Sequence, residues 1–146
     1  MVCCCFFGHH DCPDSVKPLI RQQIIEIYEK YPDTVFYVGN QGRFDALVLS
    51  VFKDMLREGM EPDFCVVLAY HPDKSNVPDV APEYTLYPEG IERVPKRFAI
   101  SWRNKWLVEQ SDMVVCYIRH WTGGAARFVE LAQKKGKEIV NLTNRA

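Results

Sequence analysis

Three glycine-containing segments follow apolar runs of the sequence, at the points where strands would end, and they are the first candidates for ligand chemistry. The first is Gly8-His9-His10; the second, 39–45, has the pattern G-x-x-G-x-x-D; the third, 122–126, contains a glycine pair. Glycine lets a backbone approach a ligand closely, and the N-terminus of a following helix offers free N–H groups that suit phosphate. Each segment alone is also compatible with a plain turn, but three at one edge predict a phosphate-bearing ligand.

Two charged residues extend this candidate site. Arg103, between Trp102 and Asn104, could bind phosphate in bidentate fashion with an aromatic ring beside it for stacking; the alternative is a surface arginine. Glu130 shares a helix face with Ala126, so its carboxylate is predicted to lean back over the glycine pair; the alternative is a solvated helix residue. The predicted ligand-binding residues are Gly8, His9, His10, Gly39, Asn40, Gln41, Gly42, Asp45, Trp102, Arg103, Asn104, Thr122, Gly123, Gly124, Ala125 and Glu130.

The segments that must position these residues alternate between two periodicities. Continuous apolar runs predict five strands, and amphipathic stretches between them predict helices. The strands are predicted at 2–7, 34–38, 63–69, 112–118 and 138–142, with a short extra strand at 84–87, and the helices at 14–30, 44–55, 98–110 and 124–135. This alternation predicts an α/β fold, a single Rossmann-like doubly wound parallel sheet of about five strands in the order 3-2-1-4-5, with helices on both faces. Ligands bind such sheets at the carboxyl ends of the strands, and the proline-containing loop 70–82 could close over a site there.

Length and charge restrict the possible partners. The 146 residues fit one domain, 1–146, and 18 basic against 19 acidic residues give a net charge of -1. Such a balance produces no broad positive field, so we expect neither nucleic acid nor an anionic membrane as a partner. The apolar run at the N-terminus is too short for a signal peptide or a membrane span.

The cysteines and histidines suggest no metal site. Six cysteines are present without a C-x-x-C pair, and buried reduced thiols are predicted, which suits a cytoplasmic location. Cys12, in a predicted loop, is the one cysteine expected to be reactive. Two adjacent histidines without a third ligand do not make a metal site. We therefore predict neither a metal nor a cofactor.

Taken together, these segments resemble a known group. The chain is similar to the SLOG superfamily, named for the Smf/DprA proteins and the Lonely Guy phosphoribohydrolases, and within it to the YpsA-like branch. Residues 7–10 (FGHH) resemble the opening F-x-G-H-R of that branch, with His10 where arginine is usual, and 38–45 (VGNQGRFD) resemble the G-x-x-x-G-[IV]-D type of loop of the superfamily. Arg103, the glycine pair 123–124 and Glu130 resemble the R…P-G-G-x-G-T-x-x-E signature of the Lonely Guy enzymes.

The resemblance to the Lonely Guy signature implies roles for two residues, and the sequence departs from that signature at three others. In the enzymes that the signature describes, the arginine binds substrate and the glutamate stabilises an oxocarbenium-like transition state during N-glycosidic cleavage. Here Thr122 replaces proline, Ala126 replaces the third glycine and Arg127 replaces threonine. These changes favour binding over catalysis.

The sequence leaves three functions open. The favoured hypothesis is a module that binds a nucleotide-derived signal. The second is an N-glycosidic enzyme that uses Glu130 and Arg103 as catalytic residues. The third, DNA binding by analogy with the Smf/DprA branch, is disfavoured by the net charge. The tendency of the superfamily and the aromatic helix with Trp102 and Trp106 predict a homodimer.

Overall fold

A computed structural model describes residues 1–72 and 77–145 of the chain, and these contain one six-stranded sheet. All its strand pairs are parallel, in the order β4-β3-β2-β1-β5-β6. The strands are β1 (Cys3–Gly8), β2 (Val35–Val38), β3 (Asp63–Val67), β4 (Thr85–Leu86), β5 (Met113–Tyr117) and β6 (Glu138–Asn141). The five predicted strands lie in the predicted order, and the short extra strand pairs with the outer side of β3.

Helices cover both faces of this sheet, which confirms the predicted α/β class. Helices α1 (Lys17–Lys30) and α2 (Gly42–Arg57) pack on one face, and α3 (Ala99–Gln110) and α4 (Gly124–Lys134) pack on the other. Short 3-10 turns join them at Asp14–Val16, Pro82–Tyr84, Ile91–Arg93, Lys96–Phe98 and Leu142–Arg145.

Strand β1 shows why a continuous apolar run forms a central strand. Successive side chains of a strand point to opposite faces, and here Cys4 and Phe6 enter the core beneath α1 and α2 while Cys5 and Phe7 enter the core beneath α3 and α4. All four are buried. Because helices cover both faces, neither set of side chains tolerates polar residues, and the sequence carries no alternation there.

Cys12 is not a reactive surface thiol, because it packs in the core beside Val16, and burial raises the pKa of its thiol to about 11.

The predicted closing loop 70–82 includes residues 73–76, which lie outside the described residues. None of the helices in the described ranges is long and apolar enough to cross a membrane.

Candidate functional site

A cleft of about 190 Å³ opens at the carboxyl edge of the sheet, between the ends of β1 and β2 and the helices α3 and α4. In doubly wound sheets, ligands bind at the carboxyl edge near the point where the chain begins to add strands on the other side. Here that point lies beside β1, between β1 and β5. We call this cavity the edge cleft. Its lining comprises Phe6, Phe7, Gly8, His10, Gly39, Gln41, Asp45, Ile100, Ser101, Arg103, Asn104, Leu107, Gly124, Ala125, Arg127 and Phe128.

The glycines of the cleft serve two different purposes. A Cβ on Gly8 would lie 2.2 Å from the ring of Phe44, so this glycine is required for packing. By contrast, a Cβ on Gly124 would meet nothing within 4 Å, and the preceding Gly123 adopts φ 91° with equally open space. Backbone is therefore accessible at the start of α4, whereas a side chain fills the space beside Gly8. The sequence pattern alone did not distinguish these cases.

A buried arginine forms one wall of the cleft. Arg103 is 1% exposed; its Nε donates to Asn104 Oδ1 at 2.8 Å and its Nη1 donates to the Val67 carbonyl at 2.9 Å. Burial lowers the pKa of this guanidinium, although arginine stays protonated at neutral pH. The alternative of a surface arginine is thus excluded, and a fixed cation borders the cleft.

Asp45 brings a carboxylate close to that cation. Both side chains approach the position of a Cβ on Gly39, which would lie 2.7 Å from Asp45 Oδ2 and 3.2 Å from Arg103 Cζ. Asp45 Oδ2 also accepts a hydrogen bond from the Gln41 N–H at 3.0 Å. Burial raises the pKa of Asp45 to about 6, against the opposing effects of Arg103 and the Gln41 N–H. Residue 39 must therefore be glycine for the two charged groups to fit.

A second depression, of about 220 Å³, adjoins the edge cleft above β1 and β5. We call it the histidine pocket; its lining comprises Gly8, His9, His10, Asp11, His120, Thr122, Gly123, Gly124 and Ala125. The rings of His9 and His120 stack with centroids 4.0 Å apart, and His9 Nε2 accepts the Arg119 N–H at 3.0 Å. Burial, with help from His120, lowers the pKa of His9. This pair joins the loops after β1 and β5.

The rim of the histidine pocket carries residues that the sequence analysis did not single out. Arg119 and His120 are exposed, and Trp121 is 47% exposed although it is large and apolar. Arg127, in the first turn of α4, is exposed at the mouth of the edge cleft. The sequence signal is R-H-W directly after the predicted strand 112–118, and none of these three residues belongs to a glycine pattern.

The structure brings most of the predicted residues to these two cavities and leaves four outside their linings. Gly42, at φ 84°, lies against the ring of His10, since a Cβ there would lie 2.5 Å from His10 Nδ1. Trp102 faces Gly90 instead, and Asn40 is half-buried outside both linings. Glu130 is exposed in a groove along α4 with Arg127, Leu131 and Lys134.

The position of Glu130 has a consequence for the predicted enzyme. The prediction that its carboxylate lies over the glycine pair is wrong, because α4 packs Ala126, Val129 and Ala132 inward and turns Glu130 toward solvent. Arg103 lines the edge cleft and Glu130 does not. The two residues proposed to act together in N-glycosidic cleavage are therefore not assembled.

Comparison with known proteins identifies the fold. No protein-family model matches the sequence, and no curated protein is significantly similar to it. The X-ray structure of DNA processing protein A (DprA) from Streptococcus pneumoniae matches with a TM-score of 0.65 and 15% identity, covering 95% of this chain and 49% of that one. The chain thus spans about half the length of that protein.

A second solved structure matches over more of its own length. It is DprA from Helicobacter pylori, described for its unique single-stranded DNA binding mode, with a TM-score of 0.68 and 15% identity, covering 99% of this chain and 70% of that one. Both neighbours are DNA processing proteins, which contradicts the preference for a nucleotide-derived ligand and the expectation of no nucleic-acid partner. Net charge averages over the whole surface, so a value near zero does not exclude a nucleic-acid partner at one edge. The chain therefore shares the fold of these two DNA processing proteins.

Proposed function

We propose that this protein binds single-stranded DNA along the carboxyl edge of its sheet. The observation that carries the proposal is the fold likeness over 99% of the chain to the DprA of Helicobacter pylori, a protein described as binding single-stranded DNA. Within this chain, the edge cleft and the histidine pocket share Gly8, His10 and Gly124, so they form one continuous depression. A depression that runs across several loops suits a strand better than a compact ligand.

The electrostatics of the edge support this proposal despite the net charge of -1. Many carboxylates of the protein are engaged elsewhere, as Glu58 is with Arg21 and Asp54 with Lys17. Arg127, by contrast, forms no ion pair with any carboxylate in residues 1–72 and 77–145. The same holds for Arg119 within those ranges. Both cations are available for phosphates.

An exposed aromatic ring is the second feature of this edge that suits a single strand. Proteins that bind single strands combine cations along the backbone with aromatic rings on which bases stack, each contributing about 1–3 kcal/mol. Trp121 offers such a ring at the rim of the histidine pocket, 47% exposed and flanked by His120. The exposed indole is two residues from Arg119 in the chain, so a ring for stacking and a cation for phosphate lie in one loop. A base stacked on Trp121 would cover the indole.

Fluorescence anisotropy of a labelled oligothymidylate of about 20 nucleotides tests the proposal. We expect dissociation constants of about 1–100 µM near physiological salt, weakening steeply as salt rises from about 50 to 200 mM. Trp121→Ala should weaken binding by roughly 5- to 100-fold, and Arg127→Ala should lower the logarithmic salt slope by about 0.7. Arg57→Ala is the matched control, because Arg57 lies in the last turn of α2, at the opposite edge of the sheet.

Two results would contradict the proposal. The first is an absence of binding to the oligothymidylate at low salt. The second is binding that Arg57→Ala weakens as much as Arg127→Ala does, since that would show a diffuse attraction rather than a site at the carboxyl edge.

The proposal also includes three finer assignments from the sequence: membership of the YpsA-like branch, a homodimer and a cytoplasmic location. The half-buried Trp102 and Trp106 on α3 support the dimer, because they leave aromatic surface on the outside of the protein. Sedimentation equilibrium of the purified chain measures its mass directly, and a mass of 16.9 kDa at all concentrations would refute the dimer.

A further inference from the structure

A third cavity, of about 290 Å³, lies at the same edge of the sheet beyond the ends of β3 and β4. We call it the tyrosine pocket. It belongs to neither the edge cleft nor the histidine pocket, and the glycine patterns of the sequence do not point to it. Its lining comprises Ala69, Tyr70, His71, Tyr87, Ile91, Glu92, Val94, Lys96 and Ala99.

The pocket combines aromatic rings with one cation, Lys96, and one carboxylate, Glu92, whose Oε2 accepts the Gly90 N–H at 3.0 Å. Tyr70 and Tyr87 are half-buried, so each ring is held in place and still has an accessible surface. His71 contacts Tyr87 edge-on, with ring centroids 5.6 Å apart and planes at 76°. Lys96 Nζ lies 5.6 Å from the centroid of the Tyr70 ring. An ammonium group beside a tyrosine ring suits a ligand that has both a flat aromatic part and an anionic part.

The backbone beneath the pocket is fixed by the sheet. Val66 and Val67 of β3 pair with Thr85 and Leu86 of β4, and the Leu68 N–H donates to the Leu86 carbonyl at 2.8 Å. The rings that follow these two strands therefore start from a rigid base. A site whose aromatic groups are already positioned loses less conformational entropy when a ligand binds.

A shared wall connects the pocket to the edge cleft. Arg103, which lines the cleft, donates to the Val67 carbonyl at 2.9 Å, three residues before Tyr70. The phenol of Tyr70 is close enough to Arg103 to raise the pKa of its guanidinium, against the larger effect of burial. The two cavities also adjoin at the start of α3, where Ile100 lines the edge cleft and Ala99 lines the tyrosine pocket.

We infer that the tyrosine pocket receives an unpaired base of the DNA strand that crosses the edge cleft, with the base against Tyr70 and Tyr87 and the neighbouring phosphate at Lys96. This inference rests on the proposed function and adds a binding site to it. It also gives the strand a direction across the sheet, from the end of β5, past β1 and β2, to the ends of β3 and β4.

The test measures binding of an oligothymidylate that carries a single 2-aminopurine, whose fluorescence falls when it stacks. With the wild-type protein we expect quenching on binding. Tyr87→Leu should weaken binding by roughly 5- to 100-fold and reduce the quenching. Tyr28→Leu is the matched control, because Tyr28 is a half-buried tyrosine on α1, on the opposite face of the sheet from α3 and α4.

A second measurement separates base stacking from damage to the fold. On a fully abasic strand of the same length, Tyr87→Leu and wild-type protein should bind with equal affinity, because no base is left to stack. A loss of affinity that persists on the abasic strand would overturn the inference, as would unchanged binding and quenching with Tyr87→Leu on the normal strand. In either case, binding of the oligothymidylate by Trp121→Ala and Arg127→Ala still tests the proposed function. Absence of any wild-type binding would overturn both.

Discussion

Replacement of Asp45 by asparagine tests whether the charge of this carboxylate in the edge cleft destabilises the folded protein through desolvation or stabilises it through attraction to Arg103. The substitution keeps the shape of the side chain and an oxygen that can accept the Gln41 N–H, but it removes the charge. Burial raises the pKa of Asp45 from 3.8 to about 6, and the nearby guanidinium of Arg103 only partly opposes this effect. The environment of residue 45 therefore favours the neutral form.

The magnitude follows from the size of the pKa shift. A rise in the pKa from 3.8 to about 6, at about 1.4 kcal/mol per pH unit, gives a cost of about 3 kcal/mol for holding the ionised carboxylate in the folded state. Since Asp45 borders a cleft that water can enter, we expect about 1–3 kcal/mol. The folded pKa lies above the unfolded one, so the neutral carboxyl favours folding at low pH; this contribution is fully present below pH 3.8 and is lost as the pH rises through about 6. Asp45→Asn should match wild type near pH 4 and exceed its stability at pH 7.5.

Urea denaturation followed by tryptophan fluorescence at several pH values provides the assay. Asp54→Asn is the control of opposite sign, because hydrogen bonds from Lys17 and Arg57 lower the pKa of Asp54, so its removal should reduce stability above pH 4. A variant Asp45→Asn that is less stable than wild type at pH 7.5, or a difference that does not change with pH, would refute the reasoning. It would mean that the attraction to Arg103 outweighs desolvation.

Three further predictions concern packing and titration at the same edge. Gly39→Ala should reduce the free energy of unfolding by about 1–3 kcal/mol, since its Cβ would lie 2.7 Å from a carboxylate oxygen, whereas Gly124→Ala, with open space around it, should leave stability within about 0.5 kcal/mol; urea denaturation distinguishes them. The His9 imidazole should titrate below 6.5 in a proton NMR titration, and stability should fall as the pH drops from 6.5 to that lower value; a pKa above 6.5 would contradict the stacked pair with His120. The Cys12 thiol should react with a thiol reagent only after unfolding, because burial raises its pKa to about 11; rapid labelling of native protein at that position would show an open loop instead.

The error about function has a physical origin in what glycine loops can encode. Backbone N–H groups at the start of α4 offer the same donors to the phosphate of a mononucleotide and to a phosphate within a strand. A local pattern therefore identifies a phosphate partner without revealing whether it belongs to a polymer. Under the proposed function, the exposed Trp121 and Arg127 would distinguish a strand from a mononucleotide, and neither belongs to a glycine motif.

The sequence by itself determined the layered architecture. Strands buried on both faces must be apolar throughout, and helices that cover them must be apolar on one face, so local periodicity predicts the order of elements and the right-handed crossovers. The same periodicity places Gly8, Gly39 and Gly124 at the carboxyl edge, where the structure has them.

Tertiary structure alone decided how that edge is filled and charged. The burial of Arg103, the ring of Phe44 against Gly8 and the outward position of Glu130 all depend on how separate elements pack. The same is true of the adjacency of Tyr70 and Tyr87, which follow different strands. Periodicity describes one element at a time, whereas these contacts join residues that are distant in the chain, and their energies depend on the position and direction of both partners.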